Sequence, residues 1–257
     1  LRRIGAIGGS EFRGNLAGIS KEITNLAIKY GIASEDIASG MVEFTKAGFN
    51  MKTITDELIE GAAQLAIVNQ ESFQTVAQVV TYAQSLWGDS VENSYELMEK
   101  MHTAANLSIM DINDLASAFE YVGSSMVIAG VSFNEFLATM ASLSNIAYTS
   151  SENVGTLINR ILVNGSKLEG ILGLAPGSIV SEGVVNVKGL MEVLAGLGSR
   201  WEITAEIAEL WGVRSVKAFN SLMVTAGGEN GMLAILEVLE GDTTNLAEAA
   251  KFMTSSF

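Results

Sequence analysis

The sequence predicts an all-α protein, a multi-helix array of about 12–13 short capped helices. Three observations predict it. Apolar residues recur at helical spacing: Ile112, Leu115, Phe119, Val122 and Met126 step by three and four, the stripe of an amphipathic helix. Ile54, Leu58, Ala62 and Leu65 repeat the pattern, as do Ile207, Leu210 and, past a glycine, Val216 and Phe219. The connectors reuse one chemistry, a glycine, an apolar residue and a capping side chain. Strand-like alternation is confined to Ile179-Val180 and Val184-Val185-Asn186-Val187, after the single proline, Pro176, and reads as a loop or small hairpin.

In chain order, a helix over 11–30 ends at Gly31-Ile32-Ala33-Ser34, and one over 35–47 ends at Gly48-Phe49-Asn50. The glycine takes the left-handed conformation that closes a helix, and the apolar residue packs back on its last turn. The Ser or Asn then caps the free N–H groups of the next helix. Helices over 51–67, 71–87 and 90–105 follow, the last ending at the variant Asn106-Leu107-Ser108. The helix over 109–128 ends at Gly130-Val131-Ser132 and leads into 133–147 and 151–163. Ser132 with Glu135, and Ser108 with Asp111, have capping-box spacing. The Gly-rich stretch from Gly165 to Gly183 is the best internal boundary. It divides a larger lobe (1–165) from a smaller one (187–257) through a connector at 166–186. The smaller lobe holds helices over 187–197, 202–211, 213–225, 230–239 and 243–255. No strict internal sequence repeat is visible.

Composition excludes several chemistries. The 257 residues include no Cys, which removes disulfides and thiolate metal sites, and one His, which leaves His102 as the only imidazole. The formal charge of −14 opposes specific nucleic-acid binding, which needs clustered Lys and Arg. That charge is uneven: residues 1–34 sum to +3 and residues 35–120 to −11, a solvated face or a dock for a basic partner. Charged residues are 17% of the chain, below the roughly 25% of soluble domains, and mean hydropathy is +0.32, which points to surface covered by partners or by copies of itself, or to an ordinary, rather apolar helical domain. The longest charge-free stretch, Ser72 to Gly88, contains Gln74, Gln78 and Gln84 and is too polar to span a membrane. The chain starts at Leu1 without an initiator Met and is expected to be a segment of something longer. Leu1-Arg2-Arg3 has no apolar signal region behind it.

The residues yield no catalytic, cofactor-binding or metal site. Gly165-Ser166-Lys167 is similar to the end of a phosphate loop, but its order is wrong and the earlier glycine is missing. His102 reads as a partly exposed helix residue without a partner motif. Glu202, Glu206 and Glu209 share a face but lack the His partners of a di-iron site. Gln70-Glu71-Ser72-Phe73 looks like the start of the lytic transglycosylase motif. The rest of that motif is absent, so Glu71 reads as a first-turn carboxylate of a helix. Trp87, Trp201 and Trp211, near helix ends, read as packing residues with a partner hot spot as the alternative, and the eleven methionines as core filler rather than a promiscuous groove.

The order of junctions resembles the helical core of phage tail tape measure proteins over roughly residues 20–225. The carriers are Glu43 to Asn50 (EFTKAGFN), the helix from Glu57 to Val68, and Ala104-Ala105-Asn106-Leu107-Ser108. Leu115 to Gly130 (LASAFEYVGSSMVIAG), with its Tyr121-Val122 pair, matches next. Leu143 to Ala147 and Gly155 to Leu162, a Gly-Thr-x-x-x-Arg helix, follow. Trp211 to Ala218 is the last matching step. Ala147-Tyr148-Thr149-Ser150 departs from the small Gly-rich linker of the family, and 176–187 does not align.

The resemblance implies a structural, non-enzymatic role in the virion. Members sit in the tail tube or tail tip, set tail length as tube protein polymerises around them, and leave ahead of the genome. It implies as partners the tail tube protein, tail tip and distal tail proteins and tail assembly chaperones, with self-association as a trimer or other few-copy oligomer. It implies contact with the host envelope after ejection and residence in the host cytoplasm during assembly. This segment would be the compact part, because a fully helical 257-mer would reach about 390 Å and the capped turns fold it back. On the residues alone, a helical scaffold or adaptor unrelated to phage stays open, as does a peptidoglycan-cleaving enzyme using Glu71.

Overall fold

The computed structural model describes residues 1–88, 93–147, 151–197, 201–241 and 243–255. The chain is all-α. Its first helices are α1 (Arg2–Ile7), α2 (Gly9–Gly14), α3 (Leu16–Tyr30) and α4 (Ser34–Lys46). Next come α5 (Met51–Thr53), a π-helical turn π1 (Ile54–Leu58), α6 (Ile59–Val68), α7 (Phe73–Trp87) and α8 (Ser94–Asn106). Then follow α9 (Ile112–Ala118), a second π turn π2 (Phe119–Gly123), α10 (Ser124–Ile128), α11 (Phe133–Ala147) and α12 (Ser151–Leu172). A two-stranded antiparallel hairpin, β1 (Val180–Ser181) with β2 (Val184–Val185), precedes α13 (Val187–Leu197). The chain closes with α14 (Trp201–Trp211), α15 (Val213–Thr225), α16 (Met232–Glu240) and α17 (Leu246–Ser255).

Two compact units form, Leu1–His102 with the residues from Thr244 on, and Thr103–Thr243. The Gly-rich stretch expected between lobes lies within the second unit. In the first unit α4 packs along α7, and α17 returns to pack along α6. Phe44 meets Phe49 and Phe73 edge-on, with ring centroids 6.2 and 6.5 Å apart. In the second unit α11 packs on α16 and α15, and Phe119 stacks on Phe136 at 4.9 Å. Nine of the eleven methionines are buried, so their packing role holds.

Three connectors end their helices on the expected left-handed glycine, and two of them carry the expected cap. Gly31, Gly48 and Gly130 have φ of 68°, 90° and 73°. Phe49 N–H reaches back to Phe44 O, and Val131 N–H to Met126 O at 2.9 Å. Asn50 accepts from Thr53 N–H at 2.8 Å, and Ser132 and Glu135 make a reciprocal capping box.

Elsewhere the caps differ. Ala33, with no side-chain oxygen, holds the N-cap position of α4, and Ser34 is already helical. Asn106 is not left-handed, since the non-glycine residues with positive φ among those described are Gln70 and Glu182. The box expected for Ser108 and Asp111 is made by Asp111 and Asp114, because α9 starts at Ile112, where the apolar stripe begins, and not at 109. Ser108 Oγ instead donates to Ala104 O at 2.8 Å.

Two helix lengths also differ. The helix expected over 11–30 breaks at Asn15 (φ −122°, ψ 24°), beside Gly14, where both residues favour non-helical backbone. The helix expected to end at 163 bends at Asn164 (φ −112°, ψ 16°), whose side chain donates to Arg160 O, and continues to Leu172.

Glu169 explains why α12 goes on and what holds the Gly-rich stretch. Its carboxylate, buried at 3% exposure, accepts from Gly177 N–H (3.0 Å), Ile179 N–H (2.7 Å) and Val180 N–H (2.8 Å). Those three donors hold its pKa below the ordinary glutamate value. One side chain therefore ties α12 to the hairpin.

Candidate functional site

Among the described residues, the chemistry-bearing side chains that converge lie in the first unit, where α3, π1, α6 and α8 meet. A chain of hydrogen bonds links them. Tyr30 donates to Glu60 Oε1 at 2.9 Å, Gln64 Nε2 donates to Tyr30 Oη at 3.0 Å, and Tyr95 donates to Gln64 Oε1 at 2.6 Å. Lys29 on the solvent side pairs with the same Glu60 oxygen. Helical spacing does the positioning: Glu60 and Gln64, four apart, share one face of α6. Beside this chain opens a cleft of about 490 Å³, lined by Asp56, Glu57, Glu60, Gln64 and Tyr95 among others.

The electrostatics oppose a general-acid role for Glu60. The Lys29 ammonium and the Tyr30 hydroxyl hold the Glu60 carboxyl below its ordinary pKa, so it stays ionised and cannot donate a proton near neutrality. The same contact raises the Lys29 pKa. Burial pushes the Tyr30 hydroxyl up and the Tyr95 hydroxyl to about 12, so both remain donors. The network joins three helices through polar groups and leaves Asp56 and Glu57 facing solvent. Sequence reading did not find it. Its one signal was the pair of polar residues on an otherwise apolar helix, Glu60 and Gln64.

The residues weighed from the sequence scatter. His102 is buried at 2% exposure, not partly exposed, with Nδ1 3.4 Å from Asn69 Nδ2, and burial lowers its pKa. Glu71 is not in the first turn of a helix. It follows the left-handed Gln70 (φ 56°) in the α6–α7 connector, and Ser72 is the N-cap, accepting from Thr75 N–H at 3.0 Å. None of these residues lines the cleft. Gly165 is buried against Val180, within the α12–hairpin contact. Glu206 and Glu209 are exposed, and the side chains of Glu202 and Trp201 lie outside the described residues. Trp87 and Trp211 are buried, Trp211 edge-on to Phe219 at 5.7 Å. Among the described residues no three carboxylates or imidazoles gather as a metal site, and no helix is long and apolar enough to cross a membrane.

Comparison with curated proteins and with solved structures gives no match. A family model, the phage-related minor tail protein, matches residues 20–255. That span runs through both units, from α3 to the end of α17. The all-α architecture and the capped junctions thus lie inside one continuous match, and the chain belongs to the phage-related minor tail protein family.

Proposed function

We propose that this chain is the folded helical part of a tape measure protein, placed in the tail tube or tail tip, taking part in tail assembly and length determination and released during genome ejection. The observation that carries the reading is the family match over 20–255, joined to the order of junction motifs from Glu43 to Ala218. The role is structural and calls for no catalytic residue. Physical chemistry agrees with it. A net charge of −14 repels the DNA that follows through the same tube. A chain with no cysteine and one proline carries no disulfide and little slow isomerisation to resist deformation in a narrow channel. The partners are tube protein, tip and distal tail proteins, assembly chaperones and further copies of the chain.

Quantitative mass spectrometry of purified particles tests the proposal. A few copies per particle beside many copies of tube protein is the expected result. Absence from particles, with abundance in the cytoplasm, would shift the assignment to a helical adaptor.

A further inference from the structure

The described helices fall into a pattern that residue identity conceals. α4 and α8 each have 13 residues and begin sixty apart, at Ser34 and Ser94. α7 and α11 each have 15 residues and also begin sixty apart, at Phe73 and Phe133. Between them, in both cases, runs a continuous helix carrying one π turn, opened by a side-chain cap. Asn50 accepts from Thr53 N–H and Asp111 from Asp114 N–H, each at 2.8 Å. We infer that residues 34–87 and 94–147 are two copies of one helical module with a period of sixty.

The connector before the last helix carries the argument, because its geometry repeats bond for bond. Gln70 and Gly130, sixty apart, are both left-handed, with φ of 56° and 73°. Glu71 N–H bonds Ala66 O and Val131 N–H bonds Met126 O, both at 2.9 Å. Ser72 and Ser132 both cap, accepting from Thr75 N–H and Glu135 N–H. The buried side chains follow the same offset: Ile37 with Leu97, Met41 with Met101, Ile59 with Phe119, Ala62 with Val122, Phe73 with Phe133 and Val80 with Met140. Only five positions of the 54 are identical, Ser34, Met41, Glu60, Ser72 and Phe73 with their partners, so burial and caps repeat where side chains do not. Two offsets change: the connector before α9 is one residue longer, and the π turns start sixty-five residues apart, at Ile54 and Phe119.

A single helical hairpin recurs by chance. Three helices, two of equal length and one within a residue, with a left-handed residue and a cap at the same phase, form a repeat unit. The repeat lies in helix lengths, caps and buried positions and not in helix pairing, since α4 packs along α7 whereas, among the described residues, α8 does not pack along α11.

Two experiments on the full chain test the inference. In the first, residues 70–129 are duplicated in tandem, and a control duplicates 75–129, which breaks the period. Expected is added helical ellipticity and protease resistance across the sixty-residue insert, with the control insert cleaved. An insert of sixty residues digested as fast as the control overturns the inference. In the second, Gln70→Gly with Glu71→Val gives the first connector the central residues of the second. Expected is a melting temperature no lower than that of the parent. A fall of several degrees shows that the connectors are not equivalent and overturns it independently of how the duplicated chain folds.

Discussion

Glu169 and His102 are single residues whose charge states set where stability depends on pH. Three backbone N–H groups favour the Glu169 carboxylate, so its folded pKa lies below its unfolded one. Its contribution is fully present above the unfolded pKa and is lost as pH falls through the folded value. Glu169→Gln keeps an acceptor for Ile179 and Val180 but turns a donor toward Gly177. The expected outcome is a lower melting temperature at neutral pH, with a shallower loss below about pH 4, where carboxylates titrate. His102 is also depressed, by burial, so the unfolded state takes up its proton first. Stability is therefore expected to fall as pH drops below about 6.5, the ordinary His value, until the folded pKa is reached. His102→Leu should flatten the urea-derived stability between pH 7 and 5; an unchanged slope would show that other groups carry it. Neither environment was legible from sequence. The donors to Glu169 lie 8 to 11 residues away in a loop without periodicity, and burial of His102 depends on its neighbours across helices.

The glycines inside helices decide how closely pairs of elements approach. A Cβ at Gly40 of α4 would sit 2.3 Å from the Phe73 ring and 3.0 Å from Ala77 Cβ, on α7. Phe73 is fully buried, so the ring has nowhere to go. Gly40→Ala gains up to about 1 kcal/mol of helix propensity and loses about 1–3 kcal/mol to overpacking, for a net loss in chemical denaturation. Gly61 of α6 tests the contrast. There the added Cβ meets Met98 Cε at 2.4 Å, the free end of a flexible side chain. Tyr95 Cδ2 also lies 3.1 Å away and Met98 is buried, so Gly61→Ala is expected to destabilise, but by less than Gly40→Ala, because a thioether tip yields more easily than a ring. Helices of this kind were legible as elements: 133–147, 187–197 and 213–225 coincide with α11, α13 and α15. Their stripes are unbroken, and Ser132, Asn186 and Gly212 mark where they begin. The breaks were not legible, because Asn15 and Asn164 interrupt helices through local side-chain and backbone competition that leaves the apolar stripe intact. The acidic cleft escaped for a related reason. Its residues come from the continuous π1–α6 helix and from the start of α8, and no single periodicity brings them together.

At the scale of the whole molecule, the last helix belongs with the first ones. α17 packs along α6, and Glu99 of α8 accepts from the N–H of Leu246, the first residue of α17, at 3.2 Å. A carboxylate at that end also meets the positive pole of the helix. The first unit is therefore built from both ends of the chain, and the second is inserted between them. No sequence signal announced this, because the remote pairing depends on shape: α6 presents Ala62, Ala63 and Ala66, small enough for another helix to lie close. The consequence is that α17 covers α6 together with α3 and α7, and a local change in α17 should act on the first unit and spare the second. Leu246 is fully buried, so Leu246→Ala is expected to cost about 2–5 kcal/mol. Hydrogen exchange gives the decisive readout. Amides of α6 should lose protection by that amount while those of α11, in the second unit, keep theirs. Equal loss in both would mean that the units unfold as one body, and that the C-terminal helix stabilises the entire chain.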